Sequence, residues 1–221
     1  IADNSKNMPS WKRDIIEIIR DESDYFIPQI QTKIMNEGWA SYWHYTIMHE
    51  LNLPEKFHIP FVKTHNQVIR PHVGGLNPYH VGFVIFQDIK KRKGIEECFV
   101  ARESCHDVSF IRQYLTRDLC EELGLFTFSH KRKSGYTIDD VSDDYGWEDV
   151  KKVLSTNIGT NNIPVIYADE IESDGALVIR HEHDGRDLDL EHAEKVVNHV
   201  STLWGTHTKL FTKIEGELWE I

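Results

Sequence analysis

The 221-residue chain carries 36 acidic and 25 basic side chains, a formal net charge of −11, with 40% apolar and 11% aromatic residues. That is enough apolar material for the core of one large or two small domains, and too much for a disordered chain. No apolar run approaches the roughly 18 residues of a membrane span, no basic-then-apolar secretory signal is visible, and Ile1 in place of Met points to a fragment or a processed chain.

The charge is uneven: residues 1–125 balance at −2 and residues 126–221 at −9. A phosphate backbone calls for clustered Lys and Arg, so the acidic half argues against nucleic acid as a partner. The one basic run, Lys90-Lys91-Arg92-Lys93, reads as cations gathered at a helix C-terminus. Cys98, Cys105 and Cys120 are odd in number and form no CxxC or zinc-finger spacing, which fits a reducing, cytoplasmic setting. His106 adjoins Cys105, but neighbouring side chains diverge on helix and strand alike, so no base is fixed beside a thiol. Walker A, GxGxxG, GxSxG, HExxH and EF-hand patterns are absent.

The predicted elements divide the chain into a helical region, 1–125, and an acidic α+β region, 126–221. Ser10 is placed to cap a helix from Trp11 with Ile15, Ile16, Ile18 and Ile19 on its apolar face. Pro28 should interrupt it and open a second helix, about Gln29 to His49, stopped by Asn52 and Pro54. A short helix is expected at 59–69, and Asn77-Pro78 opens another that Gly94 ends. Thr116 caps a short helix closed by Gly124. Strands then flank Lys133-Ser134-Gly135, followed by a helix from Trp147 to about Thr156 and a strand at PVIYADEI. ALVIRHEH and RDLDL form a hairpin about Asp184-Gly185, Asp189 caps a helix that Gly205 ends, and HTKLFTKI and ELWEI close the chain. The fold class is α+β, a mostly antiparallel sheet with two helices following the helical part.

The stretch Asn36 to Tyr45, NEGWASYWHY, is the most unusual. Glu37 and His44 are seven residues apart, 20° short of two full turns, and so share a helix face with Ser41 between them. Seven residues rise about 10 Å, so the two cannot chelate one ion. Each could serve a site, or the face could be buried and satisfied by hydrogen bonds. Gly38 inside this helix costs about 1 kcal/mol relative to Ala, which points to a close approach by a backbone or a ligand. Tyr79 either follows an ordinary Asn77 N-cap or turns its phenol into a cleft. Asp88, alone in an apolar stretch, needs a partner if buried. His181 and His183 share a strand face beside an exposed turn and suit a solvated pair. His49, His58, His65, His72 and His80 have no interpretable spacing.

IMNEGWASYWHYTI, NPYHVGFVIFQDI, HDVSFIRQYLT and LDLEHAEKVVNHVSTLWG, in this order, closely resemble the stage V sporulation protein R (SpoVR-like) family over nearly the whole chain. The resemblance implies a link to spore cortex formation, or to envelope physiology in bacteria that form no spores. It also implies association with a PrkA-type serine kinase and a von Willebrand-type domain protein. Members are about twice this length, so the chain looks like a C-terminal half. The N-terminal half, which carries two His four apart on one helix, is then its first partner. That pair plus Glu37 would follow the ligand logic of a thermolysin-like zinc site. Glu37 becomes a ligand to a divalent metal such as zinc. His44, Tyr79 and Asp88 become the candidate catalytic residues, with His44 transferring protons. The implied chemistry is metal-assisted hydrolysis or acyl transfer on a peptide-like or cell-wall-related substrate. A non-catalytic assembly factor is the alternative.

Overall fold

A computed structural model describes residues 1–5, 8–71, 75–125 and 146–221. The strands expected about Lys133-Ser134-Gly135 lie outside these residues. The chain is α+β, with helices α1 to α8 preceding a four-stranded sheet. It forms two compact units, one built from Ile1–Ile27 and Ile163–Ile221, the other from residues 28–125 and 146–162 among those described.

In the helical unit, α2 (Lys33–Glu50), α3 (Glu55–Val68), α4 (Pro78–Lys93), α5 (Ile95–Ser104) and α6 (Asp107–Tyr114) are followed by α7 (Arg117–Glu122) and α8 (Gly146–Thr156). The fully buried Met35, Ile85, Phe86, Ile89, Phe110 and Ile111 centre its core. The caps fall where the sequence puts them. The Asn77 side chain accepts the Tyr79 N–H at 3.0 Å, and Thr116 accepts that of Leu119 at 3.3 Å. Gly94 and Gly124 take positive φ at helix ends.

The expected break at Pro28 is displaced. Pro28 lies inside α1 (Ser10–Gln31), and the chain changes helix at Thr32 instead. Two side chains account for this. The Thr32 hydroxyl donates to the Pro28 carbonyl at 2.7 Å. The Asp107 carboxylate then accepts the Ile34 and Met35 N–H groups, both at 2.9 Å, and so supplies the N-terminus of α2 with its cap from another helix. The helix expected at 59–69 starts earlier, at Glu55, directly after Pro54.

In the sheet unit the strand order is β1 (Ile166–Ile171), β2 (Leu177–His181), β3 (Thr208–Ile214), β4 (Glu217–Glu220). The β1–β2 and β3–β4 ladders are antiparallel, and β2–β3 is parallel, joined through α9 (Leu190–Trp204). Leu177, Ile179, Val197, Trp204 and Leu210 form the core between helix and sheet. Asp189 accepts the His192 N–H at 2.9 Å to start α9, and Gly205 ends it with φ 96°.

RDLDL is not a strand, which corrects the expected hairpin about Asp184-Gly185. β2 pairs with β1 instead, through a turn closed by Glu172 N–H to Ala176 O at 2.9 Å. The acidic side chains of the segment satisfy local groups rather than extending a ladder: Asp184 holds Arg186, and Asp187 accepts from His183 and from the Glu215 N–H. A groove of about 680 Å³ runs beside β1 and α9, lined by Ile166, Ile171, Ile179, Val196 and Trp204 among others.

Candidate functional site

The helix crossing of α2 and α4 is set by two glycines. A β-carbon on Gly38 would overlap the Gly82 backbone, 2.8 Å from its carbonyl oxygen, and one on Gly82 would lie 2.6 Å from the Gly38 α-carbon. The close approach anticipated from Gly38 is therefore that of a backbone. Glu37 sits beside this crossing, and Tyr79 lies on the first turn of α4, three residues before Gly82. The two lie near enough for the Glu37 carboxylate to act on the Tyr79 phenol. The Glu37 carboxylate, then burial, holds the Tyr79 pKa above its usual 10.0.

Buried Asn77 positions Tyr79. Its Nδ2 donates to the Val68 and Arg70 carbonyls at 2.9 and 2.7 Å, while its Oδ1 receives the Tyr79 N–H. One side chain thus ties the chain after α3 to the start of α4. Ser41 is buried on the same helix as Glu37.

The other two predicted residues stand elsewhere. His44 is exposed, its ring 5.3 Å from Phe61 and 6.3 Å from His65. Asp88 finds its partner one turn along its own helix, accepting from Arg92 Nε at 2.6 Å. The structure therefore brings Glu37 and Tyr79 together and leaves His44 and Asp88 in separate surroundings.

Several polar residues carry more weight than their sequence patterns suggest. Asp107, 2% exposed, caps α2 as described; burial raises its pKa against the opposing pull of the Met35, Ile34 and Lys33 N–H groups. In the sheet unit Glu172, Asp174 and His207 place one ligand atom each within 4.8 Å of one another, a group able to hold a cation. Glu172 is already bonded to Lys209 Nζ at 2.7 Å, and Asp174 accepts the Ala176 N–H at 3.0 Å. Only the β2–β3 pairing brings His207 to the two carboxylates, and no local spacing announces it.

His181 and His183 are not the solvated pair expected. His181 is buried, with Nδ1 2.9 Å from Thr212 Oγ1, and burial, then His183, lowers its pKa. His183 has both ring nitrogens engaged, by Asp187 and by the Gly185 N–H. The cysteines are free and buried, and burial pushes the Cys98 thiol up and that of Cys120 to about 11, away from thiolate chemistry. Among the described residues no helix is long and apolar enough to cross a membrane.

The family model described as "SpoVR like protein" matches residues 1–163, and that described as "SpoVR-like C-terminal domain" matches residues 161–215. The chain is 31% identical over 235 aligned positions to "Uncharacterized protein YcgB" of Escherichia coli (strain K12), covering 91% of this chain. It spans 46% of that relative's length. No solved structure matches.

Proposed function

Because the chain belongs to the SpoVR-like family, we propose that it forms one side of a composite metal-dependent hydrolase or transferase, completed by the remainder of the full-length protein. The observation that carries this reading is the approach of Tyr79 to Glu37 at the Gly38–Gly82 crossing, where two backbones touch. A carboxylate beside a phenol, on helices fixed by backbone contact, has the preorganisation that a ligand or a general base needs. Glu37 supplies one donor to a divalent metal such as zinc, and the N-terminal half supplies the histidine pair. The metal would polarise a substrate carbonyl or lower the pKa of water. Tyr79 orients Glu37, and exposed His44 transfers protons from the same helix. Asp88 remains with Arg92 outside this centre. The substrate is peptide-like or cell-wall-related, the setting is cytoplasmic spore-cortex or envelope physiology, and a PrkA-type kinase and a von Willebrand-type domain protein are the proposed partners.

A second reading, a non-catalytic assembly factor, is favoured by α1. None of its 22 residues is buried, and Trp11, Ile15, Ile18, Ile19, Tyr25 and Phe26 are exposed. Most helical stability in proteins comes from packing an apolar face, so a partner surface is what this exposed face suits.

Metal analysis of the full-length protein separates the two. One equivalent of zinc, iron or manganese that is lost in Glu37→Ala and retained in Asp174→Asn supports the composite centre. Metal lost only in Asp174→Asn moves the centre to the Glu172 group. Absence of metal, with a normal phenotype for Glu37→Ala, leaves the assembly factor.

A further inference from the structure

The seam between α2 and α3 gathers four imidazoles that no local spacing connects. His44 and His49 come from α2, His58 and His65 from α3, and they pair across the seam on either side of Phe61. The ring centroids of His49 and His58 are 5.3 Å apart at 83°, and those of His44 and His65 are 6.3 Å apart.

These separations can be compared with what one ion requires. A metal–nitrogen bond of about 2.0–2.1 Å puts a ring centroid about 3.2 Å from the ion, so two imidazoles at a tetrahedral angle hold their centroids about 5 Å apart. His49 and His58 meet this; His44 and His65 are too wide. The His49 tautomer is also fixed. Its Nδ1 lies 2.8 Å from the Tyr45 carbonyl oxygen, and a carbonyl only accepts, so Nδ1 donates there and Nε2 is the nitrogen left for a ligand. An imidazole that donates one N–H to a backbone carbonyl and offers the other nitrogen is oriented as metal-binding histidines are. His58 has no hydrogen-bond partner among the described residues and is only partly buried.

Two neighbouring observations agree. His65, 4% exposed, buries an Nε2 that no described group bonds, so the seam contains more imidazole nitrogen than the protein itself satisfies. Burial, then His44 and His49, hold His65 below its ordinary pKa, which keeps this imidazole neutral at pH 7, the form that ligates. The His181–His183 pair is the contrast. Its centroids are 5.8 Å apart, but Thr212, Asp187 and Gly185 occupy three of the four ring nitrogens.

We propose that the α2–α3 seam is a transition-metal site in which His49 Nε2 and a ring nitrogen of His58 share one divalent cation of the class that favours imidazole, zinc, copper, nickel or cobalt, with water completing the shell. The seam provides no group of three ligand atoms within 4.8 Å among the described residues, so the ion takes two imidazoles and acts as a clasp between two antiparallel helices. This site is independent of Glu37 and of the metal centre proposed above.

The test is titration of the full chain with cobalt(II), followed by its visible absorption and by competition with zinc. The expected result is one equivalent bound at the seam, with affinity reduced about tenfold or more in His49→Gln and in His58→Gln, and unchanged in Glu37→Ala and Asp174→Asn. A second variant, His58→Cys, should gain a thiolate-to-cobalt charge-transfer band while its circular dichroism stays that of the wild type, whose own three thiols are buried and give no such band. Absence of cobalt binding, binding indifferent to both glutamine variants, or no new band in a folded His58→Cys overturns the proposal.

Discussion

Replacing Gly38 by Ala pits two effects of opposite sign against each other. In an exposed helix the change stabilises by about 1 kcal/mol, since Ala loses less backbone entropy than Gly. Here the added methyl would overlap the Gly82 backbone, and backbone cannot rotate away as a side chain can. Carbon atoms pack at about 3.5–4 Å, so α2 and α4 must part by about 1 Å. That loosens the interface that buries Met35, Tyr42, Ile85 and Phe86. Overpacking of this kind costs about 1–3 kcal/mol. After the propensity gain the net loss is about 1 kcal/mol. Urea unfolding measures it directly, with exposed Ala40→Gly on the same helix as the propensity ruler. Gly82→Ala should cost less once Gly38→Ala has separated the helices, so the double variant falls short of the sum. A Gly38→Ala midpoint at or above that of the wild type would show that nothing approaches Gly38, and the crossing argument would fail.

Three further outcomes follow from buried polar groups. Asp107→Ala strips the cap from α2 and leaves two buried N–H groups unpaired, which should lower stability by about 2–3 kcal/mol in denaturant unfolding. A loss below about 0.5 kcal/mol, the bottom of the capping range, would contradict it. Thr212→Val orphans His181 Nδ1 inside the sheet unit and should cost about 1–3 kcal/mol, whereas Thr212→Ser should recover most of it. His65 is held below its ordinary 6.5 in the folded chain, so the unfolded chain takes up the proton first. Its stability contribution is whole above pH 6.5 and is lost as pH falls from there through the folded pKa. His65→Phe should flatten that part of the stability–pH profile, and an unchanged acid limb would refute the assignment.

What the sequence makes legible is what is decided within a few residues. Asn77, Thr116 and Asp189 each bond an N–H two or three positions ahead, and Gly94 and Gly205 each end a helix in a backbone conformation that Gly enters freely. These choices need no tertiary partner, so composition and order suffice to read them. The break after α1 is different. Pro28 removes one donor from a helix that tolerates the loss, while Asp107, more than seventy positions later in the chain, starts the next helix. RDLDL has the alternation of a strand, but its carboxylates take other partners: Asp187 bonds His183 and the Glu215 N–H, and Asp189 bonds the His192 N–H. Local pattern is outweighed there by side-chain hydrogen bonds that the pattern does not encode.

The candidate site divides in the same way. Gly38 is readable because a glycine where alanine would serve better requires something close by, though which backbone approaches it depends on the fold. Asp88 and Asp107 show the converse. Both are carboxylates in apolar company, and sequence context favours Asp88 for chemistry, yet Arg92 four residues on neutralises it at once. Asp107 has no charged partner of that kind among the described residues, goes to the core, and organises the start of the helix that carries Glu37. The histidines follow suit. His181-x-His183 draws attention through spacing, and local donors and acceptors occupy it. His49 and His58 share no spacing, and helix pairing sets their rings 5.3 Å apart with Nε2 of His49 free. A motif within one element is open to capture by its own neighbours, so in this chain the unclaimed nitrogen lies where two elements meet.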